Sequence, residues 1–204
     1  MKEKYLADLK DIKDIMDRSS RFISLSGRSG IAAGIIALVG AYLAYTIVFA
    51  NQDYMGYHSS VLTGGSLSQL LLIAVGTLVL AVGTGIYFTT QKTKKQKQKI
   101  WDHQTKRLLL NLLIPLATGG ILCCMLLLKG YVGLVAPLTL IFYGLALVNA
   151  SKYTLKEVRS LGLLEILLGL LSVQFIGYGL IFWAFGFGML HIVYGTVMEF
   201  KYKP

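Results

Sequence analysis

Long apolar blocks dominate this sequence, and they limit the folds open to it more than any other feature. Their bounds are 31–49, 67–88, 108–128, 133–150, 161–176 and 179–200. A bilayer core about 30 Å thick needs roughly 20 consecutive apolar residues per helical span. Hydrophobic residues fill 55% of the 204 positions and charged residues only 15%, too few to cover a soluble domain of this length. The sequence therefore predicts an all-α membrane protein, a bundle of six transmembrane helices.

The lysines and arginines fall on one side of these predicted helices. Nineteen of the 20 lie in the N-terminal segment, the second and fourth connections and the C-terminal tail. Only Lys129 lies in one of the remaining connections, the third. Positively charged connections are retained on the cytoplasmic side of a membrane. The distribution therefore predicts a multi-pass protein with its N- and C-termini in the cytoplasm. It also explains the net charge of +10 by topology and contact with anionic headgroups, so no specific nucleic acid is expected as a partner.

The sequence divides into three parts: a cytoplasmic or interfacial segment at 1–30, the transmembrane domain at 31–200 and a short cytoplasmic tail at 201–204. In the first part, apolar side chains recur at helical spacing at Leu6, Leu9, Ile12, Met16 and Ile23. Charged residues fill the other faces, which predicts an amphipathic helix. Because its charges nearly balance, it is poorly suited to anionic lipid. The expected partners are the lipid bilayer and, through residues 5–23, a protein partner or a second copy of the chain.

The turn near Tyr178 is short, so the last two predicted helices must be antiparallel neighbours, and residues equidistant from the turn share a depth. One face of the first carries Gly162, Glu165, Gly169 and Ser172, and one face of the second carries Ala184, Gly188, His191 and Gly195. Small faces let helix backbones approach closely in lipid. We therefore expect the glycines of the two faces to pack together. The same depth matching predicts an ion pair between Arg159 and Glu199 at the inner surface.

Depth matching also brings the carboxylate of Glu165 to the imidazole of His191, and places Asn111 level with Asn149 in the neighbouring hairpin. All four lie in the cytoplasmic half of the predicted bilayer. Ionisable groups are costly inside a membrane and mark functional sites by default. Two hypotheses remain open for Glu165 and His191. They form either a hydrogen bond that locks two helices, or a proton-responsive or cation-handling pair that opens towards the cytoplasm, since imidazole titrates near neutral pH.

Catalytic and metal-binding motifs are missing from the sequence. There is no HExxH motif for a zinc protease and no serine in a nucleophile-elbow setting. Cys123 and Cys124 are adjacent, so they cannot normally bridge each other. The sequence thus offers no evidence for an enzyme, and neither a cofactor nor a metal is expected.

Three segments carry a resemblance to a known family. They are RSSRFISLSG at 18–27, YGLALVNASKY at 143–153 and GFGMLHIVYG at 186–195. With them the chain resembles, over nearly its whole length, an uncharacterised family of small six-span bacterial integral membrane proteins. The resemblance implies a bacterial inner membrane, but no activity, ligand or site residue.

Two functions are therefore weighed. The first is a transport-type membrane protein for a small solute or protons, with a polar site facing the cytoplasm. The second is a structural or regulatory membrane subunit that binds a partner through the N-terminal amphipathic helix. A water-filled cavity from the cytoplasm to Glu165 would favour the first, and a sealed bundle with an exposed apolar stripe along 6–23 would favour the second.

Overall fold

The computed structural model describes residues 26–48, 64–95 and 103–202. Within those ranges the chain is almost wholly helical and contains no strand. The all-α fold class is confirmed at this level. The amphipathic helix predicted at 5–23 lies outside the described residues, as does most of the connection after the first helix.

The helices follow the apolar blocks of the sequence. The first four are α1 (Gly27–Val48), α2 (Gly64–Lys95), α3 (His103–Leu128) and α4 (Val135–Ala150). Next comes α5 (Lys156–Gln174). A 3₁₀ turn at Ile176–Tyr178 then leads into α6 (Gly179–Trp183), a π-helix (Ala184–Leu190) and α7 (His191–Lys201). These last elements continue into one another, and the helix from Ile176 to Lys201 is called the last rod below.

Within the described ranges, five helices are long and apolar enough to cross a membrane. Their bounds are Gly27–Ile47, Gly65–Lys95, His103–Leu128, Val132–Tyr153 and Ile176–Lys201. The block predicted at 161–176 is helical, but it belongs to α5. That helix also carries Lys156, Glu157 and Arg159 near its start and Glu165 in its middle. These charges set α5 apart from the five apolar helices.

Neighbouring helices run antiparallel, which gathers the basic residues at one end. Gly144 on α4 packs against Gly162 on α5, and Pro137 packs against Gly169. Likewise, the start of α1 packs against the end of the last rod, where Gly27 meets Gly195. The start of α1, the end of α4, the start of α5 and the end of the last rod therefore share one end of the molecule. We call it the basic end.

The glycine seams differ from those predicted. A methyl group added at Gly162 would lie 2.7 Å from the Gly144 carbonyl oxygen, and one added at Gly195 would lie 2.6 Å from the Ile31 amide nitrogen. Gly162 and Gly169 thus pack on α4, and Gly188 and Gly195 pack on α1. The predicted packing of these glycines across the last hairpin is wrong. Matching depths predicts only the level of a residue, and it cannot give the direction in which a small face points.

A buried apolar cluster lies towards the basic end, where α4, α5 and the last rod converge. It consists of Leu147, Leu155, Val158, Leu161 and Met198. Tyr143, Leu190, Tyr194 and Tyr202 pack around it, partly buried. Apolar packing thus fills the space between the middle of these helices and their basic ends. This cluster is called the apolar plug below.

Candidate functional site

Glu165 and His191 meet in the middle of the bundle. Glu165 Oε1 lies 3.5 Å from His191 Nδ1, and the two side chains are 0% and 9% exposed. Glu165 projects from α5 between the two glycines that press that helix against α4. His191 is the first residue of α7, directly after the π-helix. The structure therefore brings together the carboxyl and imidazole groups that depth matching had paired.

The carboxyl group of Glu165 lacks the hydrogen bonds that a buried polar group normally makes. Among the described residues, neither Oε1 nor Oε2 has a hydrogen-bond partner. A buried carboxyl without partners loses the hydration that stabilised it in water and gains nothing in return. The arrangement is therefore costly for a purely structural residue, and it is the most unusual feature of the site.

The imidazole of His191 is held from both sides. Its Nδ1 lies 3.0 Å from the carbonyl oxygen of Gly186, and its Nε2 lies 2.7 Å from the hydroxyl of Tyr143. A carbonyl oxygen can only accept, so Nδ1 carries the hydrogen and donates it. In the neutral ring Nε2 then accepts from the Tyr143 hydroxyl. Both ring nitrogens are therefore occupied while the Glu165 carboxyl beside them is not.

Tyr143, on α4, is the member of the site that sequence reasoning missed. Its ring lies 4.9 Å from that of Phe187, and Phe187 in turn stacks at 5.9 Å on His191. A tyrosine in the middle of an apolar helix is a signal in the sequence for a buried polar contact, because a buried phenol hydroxyl usually finds a polar partner. With Tyr143 included, α4, α5 and the last rod each contribute one polar side chain.

The π-helix at Ala184–Leu190 shapes the wall of the site next to Glu165. Its wide turn places the Gly186 carbonyl where His191, five residues later, can donate to it. A methyl group at Gly186 would lie 2.5 Å from Glu165 Oε2 and 2.6 Å from Leu140 Cδ2. A larger residue at this position would therefore have to displace the ends of the Glu165 and Leu140 side chains. Single π-turns inside helices occur frequently at functional sites.

The site is closed on all sides in this structure. Glu165 and the neighbouring Leu140 are both 0% exposed. A shallow apolar cavity between α1 and the last rod is lined by residues that include Leu38, Tyr42 and Ala184, and it does not include Glu165 or His191.

The two asparagines predicted to share this site are not brought to it. Asn111 Nδ2 donates to the carbonyl oxygen of Arg107 in its own helix at 2.9 Å. The polar contacts of His191 are made with Tyr143, Gly186 and Glu165, and neither Asn111 nor Asn149 is among them. An amide in a membrane helix can satisfy itself on the backbone one turn away, and equal depth does not bring two side chains together.

The ion pairs at the basic end also differ from the prediction. Glu199 accepts a hydrogen bond at 2.9 Å from Arg28 Nε on α1, so the pairing predicted with Arg159 is wrong. The reason is the close α1 seam, since a methyl group at Gly27 would lie 2.5 Å from the Glu199 amide nitrogen. Arg28 is therefore brought beside Glu199, while Arg159 is exposed on α5.

Glu157 makes the polar connection between α5 and the last rod at this end. Lys201 Nζ donates to Glu157 Oε1 at 2.5 Å, and the Tyr202 hydroxyl lies 3.1 Å from both carboxylate oxygens. Partial burial raises the pKa of Glu157, but the hydrogen bonds from Lys201 and Tyr202 outweigh it and hold the pKa below its ordinary value. The group formed by Glu157, Lys201 and Tyr202 is called the clamp below.

In the part of the chain that the structure describes, no three His, Cys, Asp or Glu side chains gather as a metal site would require. Both cysteines are free, with Cys123 buried and Cys124 exposed. Comparisons with protein-family models, with curated proteins and with solved structures returned no match.

Proposed function

We propose that this chain is a six-span protein of a bacterial inner membrane with both termini in the cytoplasm, and that it is a proton-responsive protein of the transport type. The observation that carries the functional part is the fully buried Glu165 carboxyl, without a hydrogen-bond partner among the described residues, 3.5 Å from an imidazole. Ionisable groups inside a membrane bundle are rare and mark proton relays and ion pathways.

The sixth span in this proposal is the part of α5 at 161–176. Its support is the packing of α5 against α4 through Gly144 and Gly162, which keeps the two helices side by side. The charges near the start of α5 lie at the basic end, level with those at the end of the last rod. If α5 crosses, all the lysines and arginines except Lys129 lie on one side of the bilayer, which is the distribution that membrane insertion favours.

The ligand that fits Glu165 is a proton. The carboxyl is fully buried, and Gly186 and the fully buried Leu140 pack beside it. A proton needs no space, and it removes the charge that an enclosed, unpartnered carboxylate could not sustain. Glu165 is therefore neutral in the closed structure, and the site binds one proton there.

Release of that proton has a defined consequence for His191. The hydrogen on Nδ1 is donated to the Gly186 carbonyl, and the carboxyl oxygen of Glu165 lies only 3.5 Å away. When Glu165 ionises, the Nδ1 hydrogen turns to the new carboxylate and leaves the Gly186 carbonyl unpaired. Because Gly186 belongs to the π-helix, the protonation of Glu165 acts on the backbone of the last rod.

The test is proton movement in liposomes that contain the purified full-length chain and a trapped pH indicator. With an imposed membrane potential, wild type is expected to move protons, and Glu165→Gln, which carries no titratable proton, is expected to lose this activity. The control is Glu199→Gln, the same substitution on the last rod at an ion pair outside the site, and it should behave as wild type. Equal proton movement in wild type, Glu165→Gln and empty liposomes would reject transport.

One observation favours the second function, a structural or regulatory subunit: the site is sealed. In that case Glu165 and His191 serve only to hold α5 against the last rod. A buried polar pair of this kind can be replaced by apolar residues of similar volume without loss of stability. A Glu165→Leu, His191→Leu double variant that folds and supports growth as wild type does would favour the structural role.

A further inference from the structure

The Glu165–His191 pair is closed in different ways at its two ends. Towards the turn at Tyr178, the closure is made by backbone. A methyl group at Gly169 would lie 2.9 Å from the Pro137 carbonyl oxygen and 3.0 Å from the Ile141 amide nitrogen. Backbones packed this closely cannot separate without moving α4 and α5 as whole helices.

Towards the basic end, α4 and α5 are held by backbone as well, at Gly144 and Gly162, but the space between α5 and the last rod is closed by side chains. The apolar plug lies there, and the residues packed around it include Tyr143 and Tyr202. Tyr143 is hydrogen-bonded to His191, and Tyr202 is bonded to Glu157 in the clamp. The plug therefore separates the buried pair from the clamp, and rotations of side chains are enough to open it.

The last rod is also held loosely to α5 at this end. Between His191 and the basic end, α7 packs mainly on α1, through Gly27, Gly30 and Gly195. The polar bonds from the end of the rod to α5 are those of the clamp, where Lys201 is 59% exposed and Glu157 14%. Exposed ion pairs are weak and exchange readily with water. A few replaceable contacts therefore keep α5 and α7 together over the plug.

We propose that the clamp formed by Glu157, Lys201 and Tyr202 is a gate, and that the Glu165–His191 pair exchanges its proton with the cytoplasmic side by opening this gate and the apolar plug beneath it. The proposal rests on the proposed function, for which it gives the route and the side of access. When Glu157 releases Lys201 and Tyr202, the end of α7 can move away from α5. Water then reaches Leu161 first, and Glu165 one turn deeper.

The experiment places a reporter thiol in the plug. Leu161→Cys is introduced into the full-length chain with Cys123 and Cys124 replaced by alanine, and reactivity with a membrane-impermeant thiol reagent is measured in inside-out vesicles. With the clamp intact the thiol is expected to react slowly. Glu157→Gln, which removes the ion pair, is expected to raise the rate by about five-fold.

The matched control is Glu199→Gln, which breaks the other ion pair of the last rod at the same end and leaves the clamp untouched. It should leave the rate unchanged. Exchanging the charges with Glu157→Lys and Lys201→Glu together should restore slow labelling, which separates gating from general unfolding. Right-side-out vesicles should show slow labelling in every variant.

An unchanged rate in Glu157→Gln, or an equal rise in Glu199→Gln, would overturn the gate. Faster labelling from the right-side-out vesicles would overturn the side of access. Failure of the proposed function is a separate result, since it is read from proton movement by wild type and Glu165→Gln in liposomes. A gate that opens in a protein without Glu165-dependent proton movement would leave the gate in place and reject transport.

Discussion

Helices α2 and α5 lie in one bundle and use their side chains in opposite ways. The apolar window of α2 has no buried residue, and methyl groups added at Gly76 and Gly83 would meet nothing within 4 Å. In contrast, α5 buries six residues along one face, and one of them is Glu165. Hydropathy is therefore best at identifying membrane helices, such as α2, that pack on few neighbours. The helix that carries the site is the one that stands apart from the five apolar helices.

This difference follows from what surrounds each helix. A helix that meets lipid on most faces has to be apolar on most faces. A helix packed against other helices can carry charge, provided that the charge is enclosed, neutralised or held at the membrane surface. On α5, Glu165 is enclosed and Glu157 lies at the basic end in the clamp.

The largest expected effect comes from placing leucine at matched glycines of the two helices. Gly162→Leu on α5 would drive a side chain into the Gly144 carbonyl and Leu147, both within 3 Å of the first added carbon. Overpacking of this kind costs about 3 kcal/mol or more, whereas Gly76→Leu on α2 should be tolerated. Thermal unfolding in one detergent measures both. Equal losses of stability would mean that the two helices do not differ in packing.

The next effect is the loss of one hydroxyl from a buried and from an exposed tyrosine. Tyr143→Phe leaves His191 Nε2 without its partner at 2.7 Å, and an unsatisfied buried acceptor costs about 1–3 kcal/mol. Tyr87 on α2 is 58% exposed, and its hydroxyl accepts a hydrogen bond from Gln91. Tyr87→Phe should therefore change the free energy of unfolding by only a few tenths of a kcal/mol. If Tyr143→Phe unfolds at the wild-type temperature, the hydrogen bond to His191 contributes nothing.

A smaller effect on stability is expected for Glu165 itself. Because its carboxyl has no hydrogen-bond partner among the described residues, Glu165→Leu should stay within about 1 kcal/mol of wild type or become more stable. Proton movement in liposomes should nevertheless be lost. A large fall in stability would show that the Glu165 carboxyl makes stabilising contacts, contrary to its lack of a hydrogen-bond partner among the described residues.

The smallest effect concerns pH and the clamp. The pKa of Glu157 is held below its ordinary value by Lys201 and Tyr202, despite partial burial. A carboxyl whose pKa is lower in the folded state contributes stability above its unfolded pKa and loses that contribution as pH falls through the folded pKa. The difference in unfolding temperature between wild type and Glu157→Gln should be constant near neutral pH and vanish in acid. A difference that grows in acid would have the wrong sign.

The sequence predicts the apolar helices of the described ranges and the meeting of Glu165 with His191, because the first follow from apolar length and the second from distance to a short turn. Depth alone does not determine which neighbouring helix a face packs against. In the structure Gly162 packs on α4, Gly195 packs on α1, and Glu199 forms its ion pair with Arg28. Tyr143 and the π-helix lay beyond the reach of that argument, since both depend on how α4 and the last rod are turned about their axes.

The central claim is that Glu165 holds a proton inside the closed bundle. Infrared difference spectroscopy on the full-length chain in lipid tests it directly, through the carbonyl stretch of a protonated carboxyl group. At neutral pH wild type and Glu199→Gln should both show this band, and Glu165→Gln should lack it. A wild-type spectrum without the band, or a band that persists in Glu165→Gln, would contradict the account.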